Sequence, residues 1–216
     1  MDNLITIDGP GGSGKGTIAK LLAIKLGWNI LDSGALYRLI ALISENIKNT
    51  DPDKIGLELK DKKIIFELVD DQCRLFFNGK DVSDYIRREE IGIKASDLAH
   101  NQQIRNLIKT TQRSFYDPNI GLIADGRDMG SVVFPAAGIK IYLDASIEER
   151  AKRRQIQLKE KGLKVNMPNL ISSLEERDLK DKNRKVSPLL IPEGAKVIDS
   201  TNLSTDEVVN IVMDLT

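Results

Sequence analysis

One histidine, one cysteine and one tryptophan in 216 residues leave few chemistries open. His100 stands alone in a polar stretch and reads as a surface residue, so neither a histidine-based hydrolytic triad nor a multi-histidine metal site can be built. Cys73 can form no internal disulfide, lies in a strand-like run where it reads as packing, and suits a reducing, cytoplasmic setting. Neither sign of charge is in excess. Lys+Arg and Asp+Glu number 32 each, so no net field argues for nucleic acid or an anionic membrane as a partner. No apolar run is longer than a few residues, so none reads as a membrane span. A strand that begins by Leu4 leaves no room for a signal peptide. Nothing argues for an oligomer, and a monomer is expected.

What the chain does have is concentrated near its start. Leu4, Ile5 and Ile7 form a short β-branched-rich strand, the loop GPGGSGKGT follows at 9–17, and Ile18, Leu21, Leu22 and Leu26 recur at helical spacing. Strand, glycine loop and helix in that order make a phosphate-binding loop. Glycines let backbone N–H groups converge on anionic oxygens, the helix N-terminus adds partial positive charge, and Lys15 supplies a full one. Gly9, Pro10, Gly11, Gly12, Ser13, Gly14, Lys15, Gly16 and Thr17 are the expected phosphate contacts. The pattern departs from G-x-x-x-x-G-K-[ST] at Gly16, with Thr17 next, so no hydroxyl is assigned directly to a metal. Thr17 and Asp125 are left as candidates acting through water.

Beyond Gly27, a plausible C-cap, a second strand over Trp28–Leu31 ends in Asp32-Ser33-Gly34. Ser33 is read either as the N-cap of the next helix or, with Tyr37 and Arg38, as part of an anionic-substrate site. From Asp51 the texture changes. A short helix, strands at Lys63–Val69 and Cys73–Phe77, and an Asn78-Gly79 hairpin turn returning through Lys80–Val82 read as a meander, which a parallel α/β core does not normally contain. Residues 33–119 are therefore read as an inserted lobe, closed by polar helices near Arg88–Ala99 and Gln102–Tyr116 that carry Ser96, Arg105 and Arg113. The core, 1–32 and 120–216, resumes with the strand Ile120–Ala124 ending in Asp125-Gly126-Arg127-Asp128. Further strands follow at Ile139–Leu143 and Lys196–Ile198. Two charged helices lie between them, with Arg150, Arg153 and Arg154 on the first and Arg177, Asp178, Asp181 and Arg184 on the second. A short lid is expected over about 150–165. Five strands alternating with helices give an α/β doubly wound parallel sheet of the P-loop NTPase kind.

That fold serves phosphoryl-transfer enzymes and regulatory GTPases alike. Phosphoryl transfer needs positioning and charge neutralisation more than a histidine base. A phosphate acceptor, with a second pKa near 6, needs no strong base at all. Arginines such as Arg38 and Arg127 suit it by two-point contacts. A guanine-binding Asn-Lys-x-Asp signature, which would favour a switch protein, is absent.

GPGGSGKGT at 9–17, DSGALYR at 32–38, GLIADGRDMGSVVFP at 121–135, KIYLDAS at 140–146 and RDLKDKNRKVSPL at 177–189 together resemble the bacterial cytidylate kinases over essentially the whole chain, with departures in the insert and around 98–120. Adenylate kinases share the GKGT loop, but their substrate segment usually reads differently. The resemblance implies ATP-dependent phosphorylation of CMP, and of dCMP, with Mg2+, in a P-loop core bearing a nucleoside-monophosphate lobe with a small antiparallel sheet. It implies ATP phosphates on Gly9–Thr17 and a CMP pocket of Ser33, Tyr37, Arg38, Ser96, Arg105, Arg127 and Asp128. Arg177, Asp181 and Arg184 would meet ribose and phosphates from the lid side. Lys15, Arg127, Arg177 and Arg184 would be catalytic. Another small P-loop kinase is the alternative within the class, and a nucleotide-switch protein the alternative outside it.

Overall fold

The computed structural model describes residues 1–70, 72–160, 162 and 165–216. In chain order the first elements are β1 (Leu4–Asp8), α1 (Lys15–Leu26), β2 (Asn29–Asp32), α2 (Ser33–Asn46) and α3 (Pro52–Leu59). Then come β3 (Ile64–Val69), β4 (Gln72–Phe77), β5 (Lys80–Asp81), α4 (Ser83–Ile86), α5 (Glu89–Leu98) and α6 (Gln102–Arg113). The chain closes with β6 (Leu122–Asp125), a π-turn over Met129–Val133, β7 (Ile139–Asp144), α7 (Ile147–Glu160), α8 (Met167–Asn183), β8 (Lys196–Asp199) and α9 (Thr205–Met213).

The main sheet runs β2-β6-β1-β7-β8, every pairing parallel. β1 is central and all five of its residues are buried. Its near-continuous apolar sequence follows from helices on both faces. Leu4 joins one apolar cluster with Leu36, Leu39 and Ile40 of α2, whereas Ile5 and Ile7 join a second with Ile18 and Leu22 of α1 and Val208 and Val212 of α9. Crossover from β1 to β2 through α1 leaves the C-terminal ends of the strands along one edge, where such sheets bind ligands.

The meander is present as β3-β4-β5, antiparallel, with Asn78 and Gly79 at φ 49° and 78° in the turn. Two adjacent left-handed residues are what a tight hairpin of this twist requires. Ile55, Leu75, Ile91, Ile104 and Ile108, from the segment between β2 and β6, lie in the same cluster as Leu4 and Leu122, so that segment packs through α2 onto the sheet.

Local expectations shift in several places: the strand expected at Ile120–Ala124 is Leu122–Asp125, and that expected at Trp28–Leu31 is Asn29–Asp32. The N-cap of α2 is Asp32, whose carboxylate accepts the Ala35 N–H at 2.9 Å, and Ser33 is the first helical residue. The Gln102 helix ends at Arg113, short of Tyr116, whose hydroxyl instead donates to Asn3 Oδ1 at 2.7 Å. Gly27 caps α1 at φ 66°, as expected.

Candidate active site

β1 ends at Asp8 and the backbone breaks at Gly9, φ 148°, where a Cβ would stand 2.0 Å from the Leu143 carbonyl oxygen. Only glycine fits so close to β7. The loop then winds into α1 with Gly12 and Gly14 also at positive φ. Two arginines of α7 hold its carbonyls from behind: Arg150 Nη1 donates to Gly11 O at 3.0 Å and Arg153 Nη1 to Ser13 O at 3.2 Å. In a trans peptide the following N–H points the opposite way, so the Gly12 and Gly14 N–H groups are turned from those arginines. Arg150 is itself fixed by an ion pair to Asp178 of α8 at 2.7 Å and a bond to Ala145 O. Arg153 also reaches Ser200 O at 2.7 Å. The start of α7 thus packs against the loop through both arginines. The far end of the expected lid, at 161, 163 and 164, lies outside the described residues.

Lys15 Nζ donates to Pro10 O at 2.8 Å, and its side chain is buried. Burial, then the positive charge of Arg127, pulls its ammonium down to about 7. Nearby Asp125, at the end of β6, is pushed up to about 7 by burial and by Asp32 alongside it in register on β2. A Cβ on Gly16 would be 3.4 Å from Asp125 Oδ2, so the residue that departs from the usual motif faces this carboxylate.

Across from the loop, α2, α5, α6 and the β6 turn form a second wall. Ser33 Oγ accepts from buried Gln112 Nε2 at 2.8 Å. Arg105 pairs with Asp128 and donates to Ala99 O at 3.0 Å, and its guanidinium lies 5.5 Å from the centre of the Tyr37 ring. Burial pushes the Tyr37 hydroxyl up to about 12. Arg38 Nη1 donates to Ile86 O at 2.9 Å and Arg88 O at 3.3 Å. Gly92, Ala95, Ser96 and Ala99, spaced i, i+3, i+4 and i+7, give α5 a small-residue face on the cleft.

α8 supplies the third side. Asp181 accepts from Arg127 Nε at 2.8 Å and lies 3.7 Å from Arg184 Nη1. Burial would raise the Asp181 carboxyl, but Arg127 and Arg184 hold it below its ordinary value. Arg184 Nη2 is buried with no hydrogen-bond partner among the described residues. A buried guanidinium with a free donor edge is suited to an anion.

One cleft is lined by Gly11, Gly12, Gly14, Lys15, Gly16 and Thr17 of the loop, by Ser33, Tyr37, Arg38, Ser96, Arg105, Arg127 and Asp128, and by Arg177, Asp181 and Arg184. Gly9, Pro10 and Ser13 do not line it; Ser13 Oγ donates back to Pro10 O at 3.1 Å. His100 lines the same cleft, its Nδ1 2.9 Å from Ser96 O. Sequence reasoning did not single out Gln112, Asp8 or Gly92, and read Arg150 and Arg153 as lid residues. The partners of those two arginines are loop carbonyls about 140 positions away.

Known proteins point the same way as this geometry. The family model described as cytidylate kinase matches residues 5–216. The cytidylate kinase of Aeromonas salmonicida is 46% identical over 215 residues, covering 99% of this chain and 93% of the relative. That of Photobacterium profundum is 47% identical over 207 residues, covering 95% and 90%. Among solved structures, an uncharacterized protein from Eubacterium ventriosum superposes with a TM-score of 0.52 at 12% identity over 98% of this chain and 96% of that one, a likeness of fold alone. A glycine loop with its lysine, facing an arginine-rich pocket across one cleft, is therefore met in a chain that belongs to the cytidylate kinase family.

Proposed function

We propose that this protein transfers the γ-phosphoryl group of ATP to CMP, and to dCMP, releasing the nucleoside diphosphate and ADP. The observation that carries this reading is a single cleft lined together by Lys15 and the glycine loop, by Asp128, Arg105 and Ser33, and by Arg38, Arg127, Arg177 and Arg184. The loop holds the donor phosphates. The four arginines take the acceptor phosphate and the charge that develops on the transferred group. The acceptor's own phosphate oxygen attacks, so no side chain need act as a strong base. An incoming phosphate stabilises the Lys15 ammonium against the burial that pulls it down, so the residue is charged where the reaction needs it.

Thr17, exposed in the cleft, and Asp125, facing Gly16, would hold Mg2+ through water. Their oxygens suit a hard cation that keeps much of its hydration, and no group of three His, Cys, Asp or Glu among the described residues offers a direct cage. When bound, the ion supplies charge neutralisation on the donor phosphates.

In this reading 33–119 is the acceptor lobe. The lid is the stretch at about 150–165, of which Arg154 and Gln157 line the cleft. The protein works as a cytosolic monomer. A coupled ADP-release assay over a panel of nucleoside monophosphates tests the proposal. Turnover with CMP and dCMP is expected; preference for AMP would indicate an adenylate-type kinase, and no turnover with any would indicate a binding protein.

A further inference from the structure

Gly92 is the fourth residue of α5, its N–H bonded to Arg88 O at 3.1 Å, and its φ is not positive. Nothing in its backbone calls for glycine, which is the weaker helix former at such a position. What does call for it is Arg38. A Cβ built on Gly92 falls 2.7 Å from Arg38 Nη2, 2.9 Å from Nη1 and 3.0 Å from Cζ. The guanidinium lies flat on a bare Cα, while Nη1 donates to the two carbonyls at the α4–α5 junction. Among the described residues Nε and Nη2 make no hydrogen bond, and they form the edge left to a ligand.

We propose that Gly92 is a positioning residue for acceptor binding: the missing Cβ sets how deeply the Arg38 guanidinium sits against α5, and hence where its free edge meets the acceptor phosphate. This rests on the assignment of Arg38 to the acceptor under the proposed function. A methyl group at Gly92 forces the guanidinium back by about 0.7 Å to reach ordinary contact at 3.4 Å. The bonds to Ile86 O and Arg88 O then lengthen or tilt. All three contacting atoms belong to the far end of a flexible side chain, so the fork yields and the helix does not. The fold gains a better helix former while the site loses its geometry.

The test compares four proteins: wild type, Gly92→Ala, Arg38→Ala and the double variant. For Gly92→Ala the KM for CMP is expected to rise about tenfold or more, since displacements approaching 1 Å at a positioning group carry losses of that order. The KM for ATP should stay within about twofold and Tm should hold or rise by about 2–4 °C. In the Arg38→Ala background the same Gly92→Ala change should leave the KM for CMP where it is. An unchanged KM in Gly92→Ala, with a raised one in Arg38→Ala, overturns the role of Gly92 and leaves the acceptor assignment standing. A normal KM in Arg38→Ala overturns both. An equal rise in either background means that the methyl obstructs the cleft directly, and a lower Tm means that the helix has moved; each defeats the proposal.

Discussion

Arg105 and Asp128 meet in the wall of the cleft, Nη2 to Oδ2 at 2.5 Å, with only 4% and 6% of their side chains exposed. The pair fixes which way an amide would sit if it replaced the acid. In Asp128→Asn the amide oxygen stays with Arg105, and the NH2 group turns to the cleft.

Under the proposed function, in which Asp128 meets the base, that orientation would set base choice. Cytosine presents an amino donor where uracil presents a carbonyl, so a carboxylate suits the first and an amide donor the second. Asp128→Asn is expected to lose kcat/KM for CMP and to gain on UMP relative to wild type. Unpaired buried polar groups are what make such discrimination large. Loss of the countercharge to Arg105 should also lower stability by roughly 1–3 kcal/mol. An unchanged CMP-to-UMP ratio would place base reading elsewhere.

Lys15 is buried against its own loop, and burial disfavours its charge. Lys15→Met is therefore expected to fold with undiminished Tm yet, if the proposed function holds and the charge meets the transferred group, to lose at least about 100-fold in kcat. Near-normal turnover in a folded variant would remove Lys15 from the chemistry.

Arg127 and Arg74 are both paired with aspartate at 2.8 Å, Arg127 Nε with Asp181 and Arg74 Nη1 with Asp81. Only Arg127 lines the cleft. Its Nε is anchored on Asp181 and its Nη1 on Gly126 O at 3.3 Å, which leaves Nη2 to meet phosphate, and a lysine cannot both hold these anchors and reach the phosphate. Arg127→Lys should lower kcat/KM by about two orders of magnitude. Arg74→Lys, a change in a partly exposed pair of the insert, should be nearly silent. Similar kinetics for the two would argue against an acceptor role for Arg127.

Asp8 gives a pH signature. It is fully buried, with Oδ1 accepting the Met129 N–H at 2.8 Å and Oδ2 the Gly130 N–H at 2.7 Å, which ties β1 to the turn just after Asp128. Burial pushes its carboxyl from 3.8 to about 6, against the pull of those two bonds. Between about pH 4 and 6 the folded chain holds a proton that the unfolded chain releases. The contribution of Asp8 is thus fully present below that window and declines as pH rises through 6. Asp8→Asn does not titrate and leaves one backbone N–H without its acceptor, a cost of about 1–3 kcal/mol. The Tm gap between wild type and variant should narrow from pH 4 to pH 7; a constant or widening gap would contradict the shift.

The loop was legible in the sequence because its glycines are demanded by local geometry, as at Gly9 beside Leu143. The Asn78-Gly79 turn was legible for the same reason, two left-handed residues in succession. Ser33 was ambiguous because Asp32, one position earlier, is an equally good cap and takes that role. Arg150 and Arg153 read as lid residues since charge alone does not reveal a backbone carbonyl as partner. Gln112 carries no motif at all. Its meaning comes from a contact with Ser33 79 positions away, which only the packing of α6 against α2 creates.

The position of β1 at the middle of the sheet sets the timetable of biogenesis. Its two neighbours are β6, which begins 114 residues after β1 ends, and β7 beyond that. At 5–20 residues per second a ribosome needs about 6–23 s to make that interval. Through that time Leu4, Ile5 and Ile7 have neither lateral partner, and an apolar strand with open edges is an invitation to aggregation. β1 is made well before either neighbour, so the glycine loop attached to it can take its final shape only once β6 and β7 have followed.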